Sequence, residues 1–81
     1  MEMRFGKAVT HEPLYELVEL VGHGGFRHEF MQKGERMAIQ RAQSMYPDIQ
    51  AWQDRDDGYL RTSFYDPQLK QRRHFVLREV S

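Results

Sequence analysis

The residues of this 81-residue chain best able to do chemistry are four histidines, three serines and a set of carboxylates, with no cysteine among them. His23 and His28 flank the run Gly22-His23-Gly24-Gly25, and Glu29 follows, so an imidazole pair with a carboxylate is the first arrangement to weigh. A metal site needs its ligands on one side of an element, whereas His28 and Glu29 are adjacent and point to opposite faces of a strand. No His-Glu-x-x-His pattern occurs, and His11 and His74 are remote in sequence. The glycine run resembles a phosphate-binding loop in composition alone. The dinucleotide fingerprint needs a third glycine at position 27, where Arg27 stands, and no Gly-Lys-Thr/Ser follows. Asp54, Asp56 and Asp57 before Gly58 fail the calcium-loop register in a similar way. Tyr59 falls where that loop needs its glycine, and Tyr65 where it needs the closing glutamate. With Ser44, Ser63 and Ser81 as the only serines, no Ser/His/Asp order is meaningful. We therefore expect a chain that is not an enzyme and that needs no cofactor or metal.

A different pattern lies in the C-terminal third. Lys70, Arg72, Arg73 and His74 form a basic cluster, with Arg61 and Arg78 close by and tyrosines between them. Counting every second residue places Tyr59, Arg61, Ser63 and Tyr65 on one face of a strand and Leu60, Thr62 and Phe64 on the other. His74, Val76 and Arg78 match the first set; Phe75 and Leu77 match the second. A face that mixes Tyr with Arg suits protein interfaces, which are enriched in both. It also suits single-stranded nucleic acid, where aromatics stack bases and arginines meet phosphates. The expected partner-binding residues are Tyr59, Arg61, Tyr65, Arg73, His74 and Arg78. The primary expectation is a protein partner or a second copy of the chain. The alternative is a nucleic-acid-binding domain that uses the same hairpin.

The elements that must hold these residues follow from pattern and punctuation. Over residues 14–21 two periods compete. Leu14, Leu17, Val18 and Val21 fit a helical stripe, while the short, branched run and the glycine turn after it fit a strand, which we favour. Phe26 to Met31 then reads as a second strand, with Phe26, His28 and Phe30 on one side. After Lys33-Gly34 comes the clearest element, a helix that carries Glu35 at its positive end, an inner stripe of Ala38, Ile39, Ala42, Met45 and Tyr46, and Pro47 as its stop. Residues 49–53 are expected as a strand, and Asp57-Gly58 as a tight turn. Two further strands are expected at residues 59–65 and 73–80, parted by Asp66-Pro67. This is a β-β-α-β-β-β order, an α+β fold in which a small antiparallel sheet packs one face on the single helix. Residues 1–13 are expected as an N-terminal arm and 14–81 as a single α+β domain.

The order hairpin, helix, hairpin resembles that of many small single-helix α+β proteins carried by phages and plasmids, some of which inhibit host or defence complexes. The resemblance covers element order alone, and it implies a regulator or inhibitor from a mobile element. Composition sets wider bounds. The formal charge is zero, 12 basic against 12 acidic residues, so no overall field draws in nucleic acid or an acidic membrane. The hydrophobic share is 40%, and no apolar run is long enough for a signal peptide or a membrane span. A cysteine-free small chain fits a reducing compartment, so a cytoplasmic location is expected. A chain this short buries little surface, and dimerisation would add stability.

Overall fold

The computed structural model describes residues 12–80. Five strands and one helix follow in the order β1 (Leu14–Val21), β2 (Gly25–Lys33), α1 (Glu35–Met45), β3 (Gln53–Asp54), β4 (Tyr59–Asp66) and β5 (Gln71–Glu79). All strands join one antiparallel sheet in the spatial order β2-β1-β5-β4-β3. The α+β architecture expected from the pattern is the one observed. The competition over residues 14–21 resolves as strand, because β1 lies centrally and pairs with β2 on one side and β5 on the other. A strand buried on both edges gains two hydrogen-bonded ladders, which a helix over the same residues would forgo. The expected N-terminal arm, with His11, lies outside the described residues up to position 11.

The core forms where the apolar side of the sheet meets α1 and the segment after it. Leu17, Phe30, Phe64, Phe75 and Leu77 from the strands enclose Ala38 and Ala42 of the helix, together with Ile49. Two alanines on the inner stripe let the helix axis approach the sheet closely, while Met45, expected on that stripe, is 45% exposed. Tyr46 ends the helix, its N–H returning to the Ala42 carbonyl at 2.9 Å, and Pro47 prevents another turn. Its ring packs 4.5 Å from that of Phe75, which stacks at 5.8 Å on Phe64.

Three local readings need correction. Residues 49–53 are not a strand: only Gln53–Asp54 pair with β4, and Ile49 plugs the core from a loop begun by its N–H bond to the Tyr46 carbonyl. Phe26, His28 and Phe30 do not share a side. Pairing steps from Leu17 with Phe30 to Val18 with His28, so Glu29 is an extra residue, a β-bulge. The bulge turns Phe30 into the core and leaves Phe26 and His28 on the opposite face. Thirdly, β5 begins at Gln71 and ends at Glu79, starting earlier than expected because Gln71 pairs with Asp66 across the hairpin.

Gly34 joins β2 to α1 with φ of 83°, a left-handed conformation that leaves its N–H donating to the Pro13 carbonyl at 2.8 Å. A Cβ there would lie 2.9 Å from a Glu12 carboxylate oxygen. Gly34→Ala should therefore lower stability by about 1–2 kcal/mol, chiefly through the unfavourable backbone conformation, as read from the shift in denaturant midpoint. An unchanged midpoint would show that this junction relaxes without cost.

Candidate functional site

The sheet face turned away from α1 is built from alternate residues of four strands. In the middle row, His28, Val18, Val76 and Arg61 lie side by side on β2, β1, β5 and β4. One row beyond are Phe26, Leu20, His74 and Ser63, and one row before are Met31, Glu16, Arg78 and Tyr59. Val18 is buried among these neighbours although it belongs to no part of the helix-side core. Around it stand large apolar side chains in water: Phe26 is 64% exposed and Tyr65 55%, with Leu20, Met31 and Tyr59 also exposed.

The charges on this face are largely occupied by one another. Glu16 accepts from Arg78 at 3.0 and 2.8 Å through one oxygen and from His28 Nδ1 at 2.8 Å through the other. The His28 hydrogen bond, then that of Arg78, holds the Glu16 carboxyl below its ordinary value, so it stays ionised between its two partners. Arg61 makes a forked contact with Asp57, at 2.7 and 3.2 Å, and lies over the Tyr59 ring at 5.5 Å. That hydrogen bond likewise lowers the Asp57 pKa. Arg72 reaches only the Ser63 hydroxyl, at 3.4 Å, and among the described residues has no carboxylate partner.

Of the residues expected to bind a partner, Tyr59, Arg61, Tyr65, His74 and Arg78 stand together on this face. Arg73 does not. Its position between His74 and Arg72 turns it to the helix side, where the side chain is 13% exposed. There it donates to both oxygens of Glu19 at 2.8 Å and to Asp66 at 3.3 Å, and its guanidinium lies over the rings of Tyr46 and Phe75. Arg27 also pairs with Glu19, and the Tyr46 hydroxyl donates to Glu29 on the bulge. The arrangement is an ionic network at one end of the core, in which Arg73 and Arg27 between them contact the carboxylates of Glu19, Asp66 and Glu29. Sequence reading missed Leu20, Phe26 and Met31 as members of the open face. Their alternation is visible in β1 and β2, but their place beside the C-terminal hairpin depends on β1 pairing with β5.

A groove of about 600 Å³ crosses the β4 side of the face, lined in part by Leu20, Trp52, Arg61, His74 and Val76. Trp52 packs against the core, and its buried Nε1 has no acceptor among the described residues. No cluster of three or more His, Asp or Glu side chains able to hold a metal occurs among the described residues, and none of their helices is long and apolar enough to cross a membrane. What the face offers chemically is apolar area with oriented hydrogen-bonding groups. Compared with known proteins, the chain matches no family model, no curated protein and no solved structure.

Proposed function

We propose that this chain is a non-enzymatic protein-binding module that docks the open face of its sheet onto another polypeptide. The observation that carries the reading is the division of labour on that face. Leu20, Phe26, Met31, Tyr59 and Tyr65 are exposed together on one side of the sheet, while Arg61 and Arg78 are already held by Asp57 and Glu16. Apolar and aromatic side chains exposed around internally paired charges are costly to leave in water and inexpensive to desolvate against a protein. Nucleic acid would need free guanidinium groups for phosphate, and two of the three open-face arginines on β4 and β5 would have to abandon a carboxylate to supply them.

The face is also better suited to docking than the β2 edge. Edge strands that recruit other chains are long, flat and uncharged, whereas β2 carries Arg27, His28, Glu29 and Lys33 and is bent by the bulge. Arg41 of α1 further occupies this strand, donating to the Met31 carbonyl at 3.2 Å with its guanidinium 4.5 Å from the Phe30 ring centre.

The test is site-specific photocross-linking in cells that naturally make the chain, with benzoylphenylalanine in place of Phe26 or Tyr65 and, as a control, in place of Met37 on the exposed side of α1. Adducts to a polypeptide from the two open-face positions, and none from position 37, are expected. Equal yield from all three positions, or adducts to nucleic acid alone, would overturn the proposal.

A further inference from the structure

We infer that the polypeptide docked on the open face presents an acidic side chain, whose carboxylate is received by Arg72 beside Ser63 and His74, with an apolar side chain a few residues away that packs on Leu20 and Phe26. The inference rests on reading the face as a protein-docking surface and adds the chemistry of the partner. It starts from the arginines of the strands, Arg27, Arg61, Arg72, Arg73 and Arg78. Four of them pair with a carboxylate of the same chain: Arg27 and Arg73 with Glu19, Arg61 with Asp57, and Arg78 with Glu16. Arg72 is the exception.

Arg72 is exposed, and among the described residues its guanidinium donates only to the Ser63 hydroxyl, at 3.4 Å, longer than an ordinary N–H···O bond. Five N–H groups in a flat fork thus have one weak acceptor. The carboxylates closest to Arg72 along the fold are engaged elsewhere, since Glu19 and Asp66 turn to the helix side and accept from Arg73. Asp48 borders a hollow that Arg72 also borders, yet the two form no salt bridge. Lys70, in the turn before β5, is a second exposed cation with no carboxylate partner among the described residues. The acidic residues Glu35, Asp54, Asp56 and Glu79 lie at the other end of β4. Eight strand residues at about 3.3 Å each put that end roughly 25 Å away, well beyond a Debye length of about 8 Å, so the end with Arg72 presents its own positive sign.

The surroundings of Arg72 define what it receives. Strand pairing sets Tyr65 opposite Arg72 and Ser63 opposite His74, with Leu20 on the other side of His74 and Phe26 beyond Leu20. A hollow of about 470 Å³ is bordered in part by Leu20, Gly22, Arg72 and His74. Gly22 has no side chain to fill it, and a Cβ there would meet no atom within 4 Å. Donors therefore stand at one margin of the hollow and an aliphatic side chain at another. A carboxylate is planar and accepts two parallel bonds from one guanidinium, so a single Arg72 suffices for it. Phosphate groups are held by clusters of arginines, and the other two arginines of this face are already paired. Nucleic acid, with a phosphate at every step, meets the same shortage. Phe26 on β2 and Arg72 on β5 lie two strand spacings apart, about 10 Å, a distance that three extended residues cover. Burial of the apolar side chain supplies area, and the carboxylate fixes where the partner sits.

The test selects a phage-displayed library of random dodecapeptides on the unaltered chain, then measures the recovered peptides by fluorescence anisotropy against the unaltered chain and Arg72→Glu. Circular dichroism with a thermal melt checks that the variant folds, as the exposure of Arg72 leads one to expect. Enriched peptides should carry Asp or Glu within a few residues of an aromatic or aliphatic side chain. Arg72→Glu should weaken their binding at least tenfold, and a peptide with Lys in place of that acidic residue should bind Arg72→Glu better than it binds the unaltered chain. No enriched peptide, binding that does not require the acidic residue, or affinity unchanged by Arg72→Glu would overturn the inference. So would an oligothymidine that binds the unaltered chain and loses its affinity with Arg72→Glu, since that result gives Arg72 to nucleic acid. Cross-links from Phe26 and Tyr65 to a polypeptide that persist undiminished in Arg72→Glu would remove the acidic anchor and leave the docking face standing. Their absence from the unaltered chain would remove the face and the anchor together.

Discussion

Arg73→Met should destabilise the fold by about 3–5 kcal/mol, the usual cost of removing one partner from a buried ion pair. The reason is Glu19, which is 4% exposed and depends on Arg73 for a hydrogen bond to each oxygen. Without the guanidinium, the carboxylate keeps only Arg27, whose side chain is largely in water, and must either stay charged in the core or take up a proton. At about 4–8 °C per kcal/mol for a domain of this size, the loss removes tens of degrees from the thermal midpoint and leaves the chain close to unfolded at room temperature. Thermal denaturation followed by circular dichroism measures it.

Two controls separate this mechanism from simple loss of packing. Glu19→Leu combined with Arg73→Met should be more stable than Arg73→Met alone, since the double replacement strands no charge. The pH dependence should also change. The Arg73 hydrogen bond is the main reason that the Glu19 carboxyl sits below its ordinary 4.5 in the folded chain, despite burial acting the other way. A depressed carboxyl contributes stability that is present above 4.5 and is lost as the pH falls through the lower folded value. Glu16, lowered by His28 and Arg78, acts in the same direction. The unaltered chain should therefore melt at progressively lower temperature below pH 4.5, and Arg73→Met should show a shallower slope because the Glu19 share has gone. A midpoint within a few degrees of the unaltered chain, at any pH, would mean that Glu19 finds solvent without its partner.

Phe75→Ala should cost a comparable amount, about 3–5 kcal/mol, while His74→Ala beside it should stay within about 0.5 kcal/mol. Phe75 is 1% exposed and sits where the ring of Phe64, the ring of Tyr46 and the Arg73 guanidinium converge, so truncation opens a cavity that three neighbours cannot jointly fill. His74 is exposed on the open face, paired with Leu20 and Ser63, and its side chain points away from that cluster. Equilibrium denaturation in urea measures both changes. Similar losses at the two positions would contradict the sorting of β5 into a core side and an open side, on which the proposed interface depends.

That sorting was legible without coordinates because it is a local property. In a strand, side chains alternate whatever the strand pairs with, so Phe64, Phe75 and Leu77 could be separated from Tyr59, Arg61, Tyr65 and Arg78 by counting alone. The helix was legible for the same reason: Ala38 and Ala42 lie four apart on its inner stripe, and Pro47 stops it. Arg73 is the instructive exception. Counting from His74 puts it with the core side, but as one of a cluster of basic residues it looked like part of a binding surface. A charge enters a core only where a distant partner awaits it, and that partner, Glu19, lies 54 residues earlier.

From its order of residues alone, then, this chain determined its α+β class, the span of its helix, a chain reversal between Asp54 and Tyr59 and the two sides of its C-terminal hairpin, all set by interactions between near neighbours. The reversal is a longer loop than a tight Asp57-Gly58 turn, with positive φ at Asp56 and Gly58. Tertiary structure decided what required distant segments to meet. Pairing of β1 with β5 carried Leu20, Phe26 and Met31 to the same face as Tyr59 and Tyr65, and made one apolar surface from two hairpins. The bulge at Glu29 settled which side Phe30 would take, and the matching of Arg73 with Glu19 drew a charge inward. Alternation and propensity act over a few residues, whereas strand order and charge pairing depend on which segments lie side by side, and only the folded sheet specifies that.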